Sequence, residues 1–385
     1  MSDEVPFHIQ EAILKRLPIK SLIQFRSVSR TWKSLIDSSE FIAAHSVSHS
    51  QPQHLFVSYT DTKEDKYISF LDDDSFPQHR FVPSLPLSVR HPHIVGSSYG
   101  LLCFKGYQFS GSTYRRTMAV LLNPSIRKSI AITLPDMLYK NHKIVLGFGV
   151  CPLTIDTKIV HITQMRWGWG SELRSEIGNF WEVKVYKKSS GKFTSLSSNL
   201  PSMSIHIIGP QVVIGKSIYW CAVDCATVDS VLKTRNLIMS FDLTNENFEV
   251  VDLPDRIAVL PLSQFSVSKL RESLVMVEYN RRGYDPTDVE QVCCTVWMVE
   301  RGVESSFTKL FNIKAPGDLM RAVGFTRKGG PIMELQEYAF DSTEELVVYE
   351  PNSELSNNLI SGSSFTVNSY IETLVLLGSS DCSSY

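Results

Sequence analysis

The spacing of apolar positions changes once along this chain, close to residue 48. Before that point apolar side chains recur every three or four residues, the period of a helix. After it they come in short runs with the alternation of strands. Three short helices are expected in the first part. Pro6 suits a first helical position because its missing N–H costs nothing there; Ile9, Ile13 and Leu17 follow at four-residue spacing, and Pro18 stops the turn. A second helix is expected from near Ser21, with Ser21 and Gln24 spaced as a capping box and Leu22, Ile23 and Phe25 as its apolar residues. A third is expected from Ser29, carrying Trp32, Leu35 and Ile36 along one side and ending near Asp37.

The first helix is apolar over more of its circumference than one neighbour can cover. At 100° per residue, Phe7, Ile9, Ala12, Ile13, Leu14 and Leu17 span an arc of about 220°, against roughly 100° for an ordinary surface helix. A segment of ~45 residues is also near the lower limit for a self-sufficient core. Each large apolar side chain left in water forgoes roughly 1.5–3 kcal/mol, so the rest of the chain or a second protein should cover the outer part of this face.

The run VPFHIQEAILKRLPIKSLIQFRSVSRTWKSLI resembles an F-box. Pro6, Ile9, Ile13, Leu14, Leu17, Pro18, Ser21, Leu22, Phe25, Val28, Trp32 and Leu35 fall on its pattern in order and without a gap; Val5, Gln24 and Ser27 depart from it mildly. The resemblance implies docking onto a Skp-type adaptor, which links F-box proteins to a cullin scaffold in ubiquitin ligases of the SCF kind. On that basis Pro6, Ile9, Ile13, Leu14, Leu17, Pro18, Leu22, Phe25, Val28 and Trp32 are the expected adaptor-binding residues. Lys15, Arg16, Lys20, Arg26, Arg30 and Lys33 suit either an acidic partner or a solvated face.

Beyond residue 50, runs such as HLFVSY, MAVLLN, KIVHIT, WEVKVY, SIYWCAV, LIMSFDL, CTVWMV and ELVVYE are bounded by Gly, Pro, Asn, Asp and Ser, the punctuation of short strands. A unit of strand, polar turn and strand recurs in LLNPSIRKSIAITLP, VYKKSSGKFTSLSSNLP and FDLTNENFEVVDLP, each closing on Leu-Pro. Its spacing, on the order of 50–65 residues, is that of kelch-like propeller blades. A propeller adds core blade by blade, and strands at both ends of the region (HLFVSY and YISFL, then YIETLVLL) can pair in one blade and abolish the open edge. The expected architecture is therefore a small helical module followed by an all-β kelch-like propeller, with six blades by count of the units. The boundaries are 1–48 for the helical module, 49–378 for the β domain and 379–385 for a tail.

GSSYGLLCF, LLNPSIRK, LGFGV, IYW, SFDL and VWMVERGVESSFTKLF stand in the order of the F-box-associated domain of plant proteins, which this region resembles. With the F-box, that likeness covers nearly the whole chain. The kelch double glycine is not repeated; Gly329-Gly330 is a lone pair.

Composition narrows the partners. With 38 basic and 40 acidic side chains the net charge is −2, so there is no overall basic excess for nucleic acid. Apolar stretches such as Ile144 to Val150 fall far short of the ~20 residues of a membrane-spanning helix. The N-terminus has no basic start followed by an apolar run, and seven cysteines do not read as a disulfide framework. Cytoplasm or nucleus is the expected location.

Candidate chemistry is sparse. Gly96-Ser97-Ser98-Tyr99-Gly100 has G-x-S-x-G spacing, but a nucleophile elbow needs a helix after it, and LLCF is a strand. Gly147-Phe148-Gly149 lacks the third glycine and the helix of a dinucleotide site and reads as a β-turn or a close-packing feature. His91 and His93 lack a completing ligand set, and Cys293 and Cys294 should face opposite sides of a strand. No metal or cofactor is expected. Arg166, Trp167 and Trp169 open a long excursion whose residue types are favoured at binding hot spots, and are the candidate target-binding residues.

The expected function is that of the substrate-recognition subunit of a ubiquitin ligase. The helices hold the adaptor, the β domain holds a target protein, and proximity rather than a residue of this chain speeds transfer. Two alternatives are an F-box scaffold or sequestering binder outside ubiquitin ligases, and a propeller-fold glycosidase. The latter needs carboxylates such as Asp224, Asp242 and Asp252 to converge.

Overall fold

The computed structural model describes residues 5–46, 52–73, 75–80, 83, 85–86, 88–110, 114–135, 142–165, 181–228, 231–261, 264–280, 293–300, 306–314, 319–336, 344–349 and 356–376. The helical module holds four helices where three were expected: α1 (Phe7–Leu14), α2 (Ile19–Phe25), α3 (Arg30–Ile36) and α4 (Ser39–Ser46). Helix α2 starts behind Pro18, two residues earlier than expected and with no side-chain cap, so the Ser21 capping box does not form. Ser29 does cap α3, its hydroxyl accepting from Trp32 N at 3.1 Å. Helix α4 opens the same way, with Ser38 Oγ accepting from Phe41 N at 3.2 Å.

The strands follow as β1 (Gln53–Asp61), β2 (Glu64–Leu71), β3 (Gln78–Arg80), β4 (Val89–Ser98), β5 (Leu101–Ser110), β6 (Tyr114–Asn123), β7 (Lys128–Thr133), β8 (His142–Val150), β9 (Thr157–Met165), β10 (Trp181–Lys187), β11 (Lys192–Leu196), β12 (Ile205–Ile214), β13 (Ser217–Val228), β14 (Val231–Asp242) and β15 (Asn247–Asp252). A short helix α5 (Asp255–Ala258) precedes β16 (Phe265–Leu270), β17 (Ser273–Asn280), β18 (Cys293–Glu300), β19 (Ser306–Lys314), β20 (Leu319–Phe325), β21 (Pro331–Gln336), β22 (Glu344–Tyr349) and β23 (Ser356–Ile371). Four antiparallel meanders of four strands run β4–β7, β8–β11, β12–β15 and β16–β19. The inner strands β4, β8, β12, β16, β20 and β23 touch in a closed circuit, the signature of a propeller.

The expected six separate blades are five hydrogen-bonded sheets. The fifth is a seven-stranded sheet, β20-β21-β22-β23-β1-β2-β3, because β23 serves two radial positions. Its first part pairs with β22 up to Gly362↔Glu344, and its second part pairs with β1 from Ser363↔Thr60 to Ile371↔Gln53. At the switch the backbone turns sharply: Ser364, in the bulge just after Ser363, has a φ of 56°, and a Cβ at Gly362 would lie 3.1 Å from Thr60 O. The two ends of the β region thus close the ring as expected, although the strand stops at Ile371 and leaves residues 372–376 free for another contact.

Close packing explains two further glycines. A Cβ on Gly147 would come 2.6 Å from the Trp220 ring, and one on Gly149 would come 2.6 Å from Leu243. Both approaches let β8 press against its neighbouring sheet, where Trp220 and Leu243 are buried.

Candidate functional site: the exposed face of the helical module

The helices share one small core of Leu14, Ile19, Leu22, Ile36 and Phe41, completed by Leu374 from the far end of the chain. Residues 372–376 act as a strap between the two domains. Asn123 Nδ2 donates to Thr373 O at 2.9 Å and Val375 O at 2.7 Å, and Thr373 N donates to Ser125 Oγ at 3.3 Å. With its backbone so held, Leu374 points into the helices while Val375 and Leu376 join the propeller core beside Tyr99 and Ile126. Gly100, at φ 73°, is required under the strap, because a Cβ there would lie 2.4 Å from Ile371 O. His45 adds a contact between its ring nitrogen and Leu17 O at 3.0 Å.

The chain therefore covers one side of the apolar arc on α1 and leaves the other side open. Leu14 and Leu17 turn inward, whereas Ala12, Ile9 and Ile13, which follow one another around the helix, are exposed. Ile9 is 42% exposed, Ile13 52% and Phe7 46%, with Val28 at 63% after α2. Val5 adds to the same apolar set.

The ten expected docking residues thus divide. Pro6, Ile9, Ile13, Pro18 and Val28 are exposed. Leu17, Phe25 and Trp32 are half-buried: Trp32 Nε1 donates to Gln10 Oε1 at 2.8 Å, and its ring meets Phe25 edge-on at 5.4 Å. Leu14 and Leu22, at 2% and 0% exposure, correct the expectation, since they build the module's own core and offer a partner no surface. Phe7 and Val5 belong with the exposed set; the breadth of the arc contained Phe7, while Val5 stands at a position where the motif departs from pattern. Of the basic residues, Arg26 is committed to Asp37 through two hydrogen bonds of 2.6 and 2.8 Å, and Lys15 to Glu11 at 2.7 Å.

On the propeller, Arg166, Trp167 and Trp169 lie outside the described residues. The strands that bracket them, β9 and β10, leave the sheet at the end remote from the helices. The inner strands line two adjoining spaces of about 580 and 620 Å³, which share Ser97, Val213, Lys269, Phe325 and Ser369. Three of their polar side chains are tied to neighbouring strands. Gln211 bonds Phe148 N and O at 2.6 and 2.8 Å, Arg321 donates to Glu334 and to Phe365 O, and Tyr279 Oη meets Ser266 and Ala322 O. Ser98 Oγ accepts from Val150 N at 3.0 Å inside a strand–turn–strand corner. Asp224, Asp242 and Asp252 do not converge. Asp242 ends β14 on the helix side opposite Asn247, held by Lys216 at 2.7 Å, while Asp224 and Asp252 lie near the opposite end on strands separated by β14. Among the described residues no cluster of His, Cys, Asp and Glu is placed to hold a metal ion, and no helix is long and apolar enough to cross a membrane.

The F-box domain family model matches residues 3–43, and the F-box associated beta propeller domain model matches residues 109–363. The chain belongs to the F-box proteins with an F-box-associated propeller. It is 27% identical over 337 residues to F-box protein CPR1 of Arabidopsis thaliana, covering 81% of this chain and 73% of that protein. An F-box/kelch-repeat protein of the same plant is 24% identical over 91% of this chain and 80% of its own length. Matches to two further Arabidopsis thaliana F-box proteins cover 40% and 60% of those proteins. Among solved structures, the beta-propeller domain of the Trilobed protease from Pyrococcus furiosus aligns with 71% of this chain and 72% of its own, at 12% identity and a TM-score of 0.39.

Proposed function

We propose that this F-box protein is the non-catalytic substrate-recognition subunit of an SCF-type ubiquitin ligase. The observation that carries the reading is the half-covered apolar face of α1. The chain spends its own strap on the Leu14 side and leaves Phe7, Ile9, Ile13 and Val28 in water. Leaving that much apolar surface exposed forgoes several kcal/mol, which a Skp-type adaptor recovers on docking. The propeller, fixed to the helices through residues 372–376, then presents its far face to a target at a set distance from the cullin scaffold. Holding the target there raises its effective concentration near the ubiquitin-charged enzyme. A cytoplasmic or nuclear location goes with this role.

Co-expression of the chain with a Skp-type adaptor tests the reading. Wild type co-purifies with the adaptor and Ile13→Asp does not, while both give the same β-sheet circular dichroism. Equal recovery of adaptor by both proteins overturns the proposal.

A further inference from the structure

The chain is close to neutral overall, but its charge is unevenly placed. The eight strands from β4 to β11 carry ten Lys and Arg residues, from Arg90 to Lys192, and a single carboxylate, Glu182. The strands' own pleat decides where these cations point. On β5 the odd positions face the β8–β11 sheet, as Leu101 and Cys103 do within the shared core, so Lys105, Tyr107 and Phe109 face it too. Arg90 and His93 of β4 stand opposite Tyr107 and Lys105, and Arg115 of β6 stands opposite Phe109. From the other sheet, Ile159 and Tyr186 enter the same core, which directs His161, Glu182 and Lys184 toward this interface.

The groove between these two blades is thus cationic and aromatic at the end away from the helices. The Arg115 guanidinium lies over the Tyr107 ring at 3.2 Å, and the Phe109 side chain is 52% exposed beside it. Lys105 reaches inward to donate to Ile144 O at 3.1 Å. Glu182 is engaged by Lys184 at 2.6 Å. Burial and the neighbouring charges of Lys143 and Arg115 hold the Lys105 ammonium down to about 8. Like charges gathered this closely on two facing sheets cost stability in the free chain, and an anionic ligand offsets that cost.

We propose that this inter-blade groove is the target-binding site of the propeller and that it takes an acidic protein segment bearing an apolar side chain. Arg90 and Arg115 meet its carboxylates, and Phe109 with Tyr107 meets its apolar residue. The placement rests on the substrate-recognition reading, since the groove opens on the face that the adaptor-docking helices leave free. A protein segment fits better than a polynucleotide, because the chain's net charge of −2 supplies no wider basic field along which a phosphate backbone would run.

The test uses the full chain purified with its adaptor and a fluorescein-labelled glutamate-rich peptide carrying one leucine, read by anisotropy. Its glutamine counterpart and single-stranded oligouridylate are the comparison probes. Wild type binds the glutamate peptide, more weakly as salt rises, and binds the glutamine peptide at least tenfold less. The Arg90→Glu, Arg115→Glu double variant loses at least tenfold, while Lys269→Glu, Arg271→Glu on the opposite face binds as wild type does. Arg90→Gln, Arg115→Gln repeats the comparison without charge reversal, and a thermal melt on each sample establishes folding. Absence of peptide binding by wild type, equal loss in both double variants, or preference for oligouridylate overturns the proposal. Retention of the adaptor in the same samples reports on the helical docking surface separately.

Discussion

Replacing Ile13 by aspartate probes the docking face with little effect on the protein's own fold. About half of the Ile13 side chain is already in water, at 52% exposure. Burying the remainder in a partner is worth about 1 kcal/mol, half of the value for a whole aliphatic side chain. Aspartate forfeits that gain and brings a carboxylate into a dry contact, which adds roughly 2–3 kcal/mol even after partial rehydration. At about 1.4 kcal/mol per decade the sum is a loss of two to three orders of magnitude in adaptor affinity. Ile13→Ala forfeits only the first part and should weaken binding about fivefold. Isothermal titration of the adaptor into each variant measures both, and hydrogen exchange of α1 to α4 verifies that the helices are intact. Leu14 is the contrasting neighbour: at 2% exposure, Leu14→Ala costs about 2–5 kcal/mol of the module's stability and removes binding only by loosening the helices. An Ile13→Asp protein that binds within threefold of wild type, or one that loses binding together with helix protection, would refute the reasoning.

The strap makes a second prediction. Leu374 is fully buried among the helices, so Leu374→Ala should raise hydrogen exchange across α1 to α4 by the equivalent of about 2–4 kcal/mol and leave the propeller strands unchanged. Gly147→Ala drives a methyl into Trp220 and should destabilise the propeller by roughly 1–3 kcal/mol, read as a lower urea midpoint. His161 gives a pH signature. Desolvation, with Lys184 and Lys105 nearby and Glu182 opposing them, lowers it from 6.5 to about 4. The unfolded chain therefore takes up the proton first, and the stability from keeping this ring neutral is complete above 6.5, falls through the window from 6.5 to 4 and is gone below it. The loss is roughly 3 kcal/mol in total. His161→Leu should remove this component from a pH series of urea denaturation curves; an unchanged acid slope counts against it.

Much of the fold was legible because it depends on local pattern. The change from helical to alternating spacing near residue 48 falls between α4, which ends at Ser46, and β1, which begins at Gln53. Leu-Pro closures follow β7 and β15 directly and come four residues past the end of β11, and Ser29 announced the start of α3. Helix α4 escaped notice because its cap, Ser38, lies only two residues beyond the end of α3, so the break between the two helices leaves little trace in the periodicity. The blade count missed because β23 changes partner after Gly362 within one unbroken strand, a choice made by pairing rather than by residue type.

The docking residues divide along the same line. Sequence alone established that α1 is apolar over more of its surface than its own module can hide, since that follows from the order of side chains around a helix. It could not say which half is hidden. That was decided when ring closure ended β23 at Ile371, Asn123 seized the next backbone carbonyls, and Leu374 was carried onto the Leu14 side. The cationic groove has the same origin: the ten-to-one charge bias is written in the strands from Arg90 to Lys192, but only the meeting of two pleated faces turns residues far apart in the chain into one surface. Periodicity reports which side of an element is apolar; what that side faces is a property of contacts between residues hundreds of positions apart.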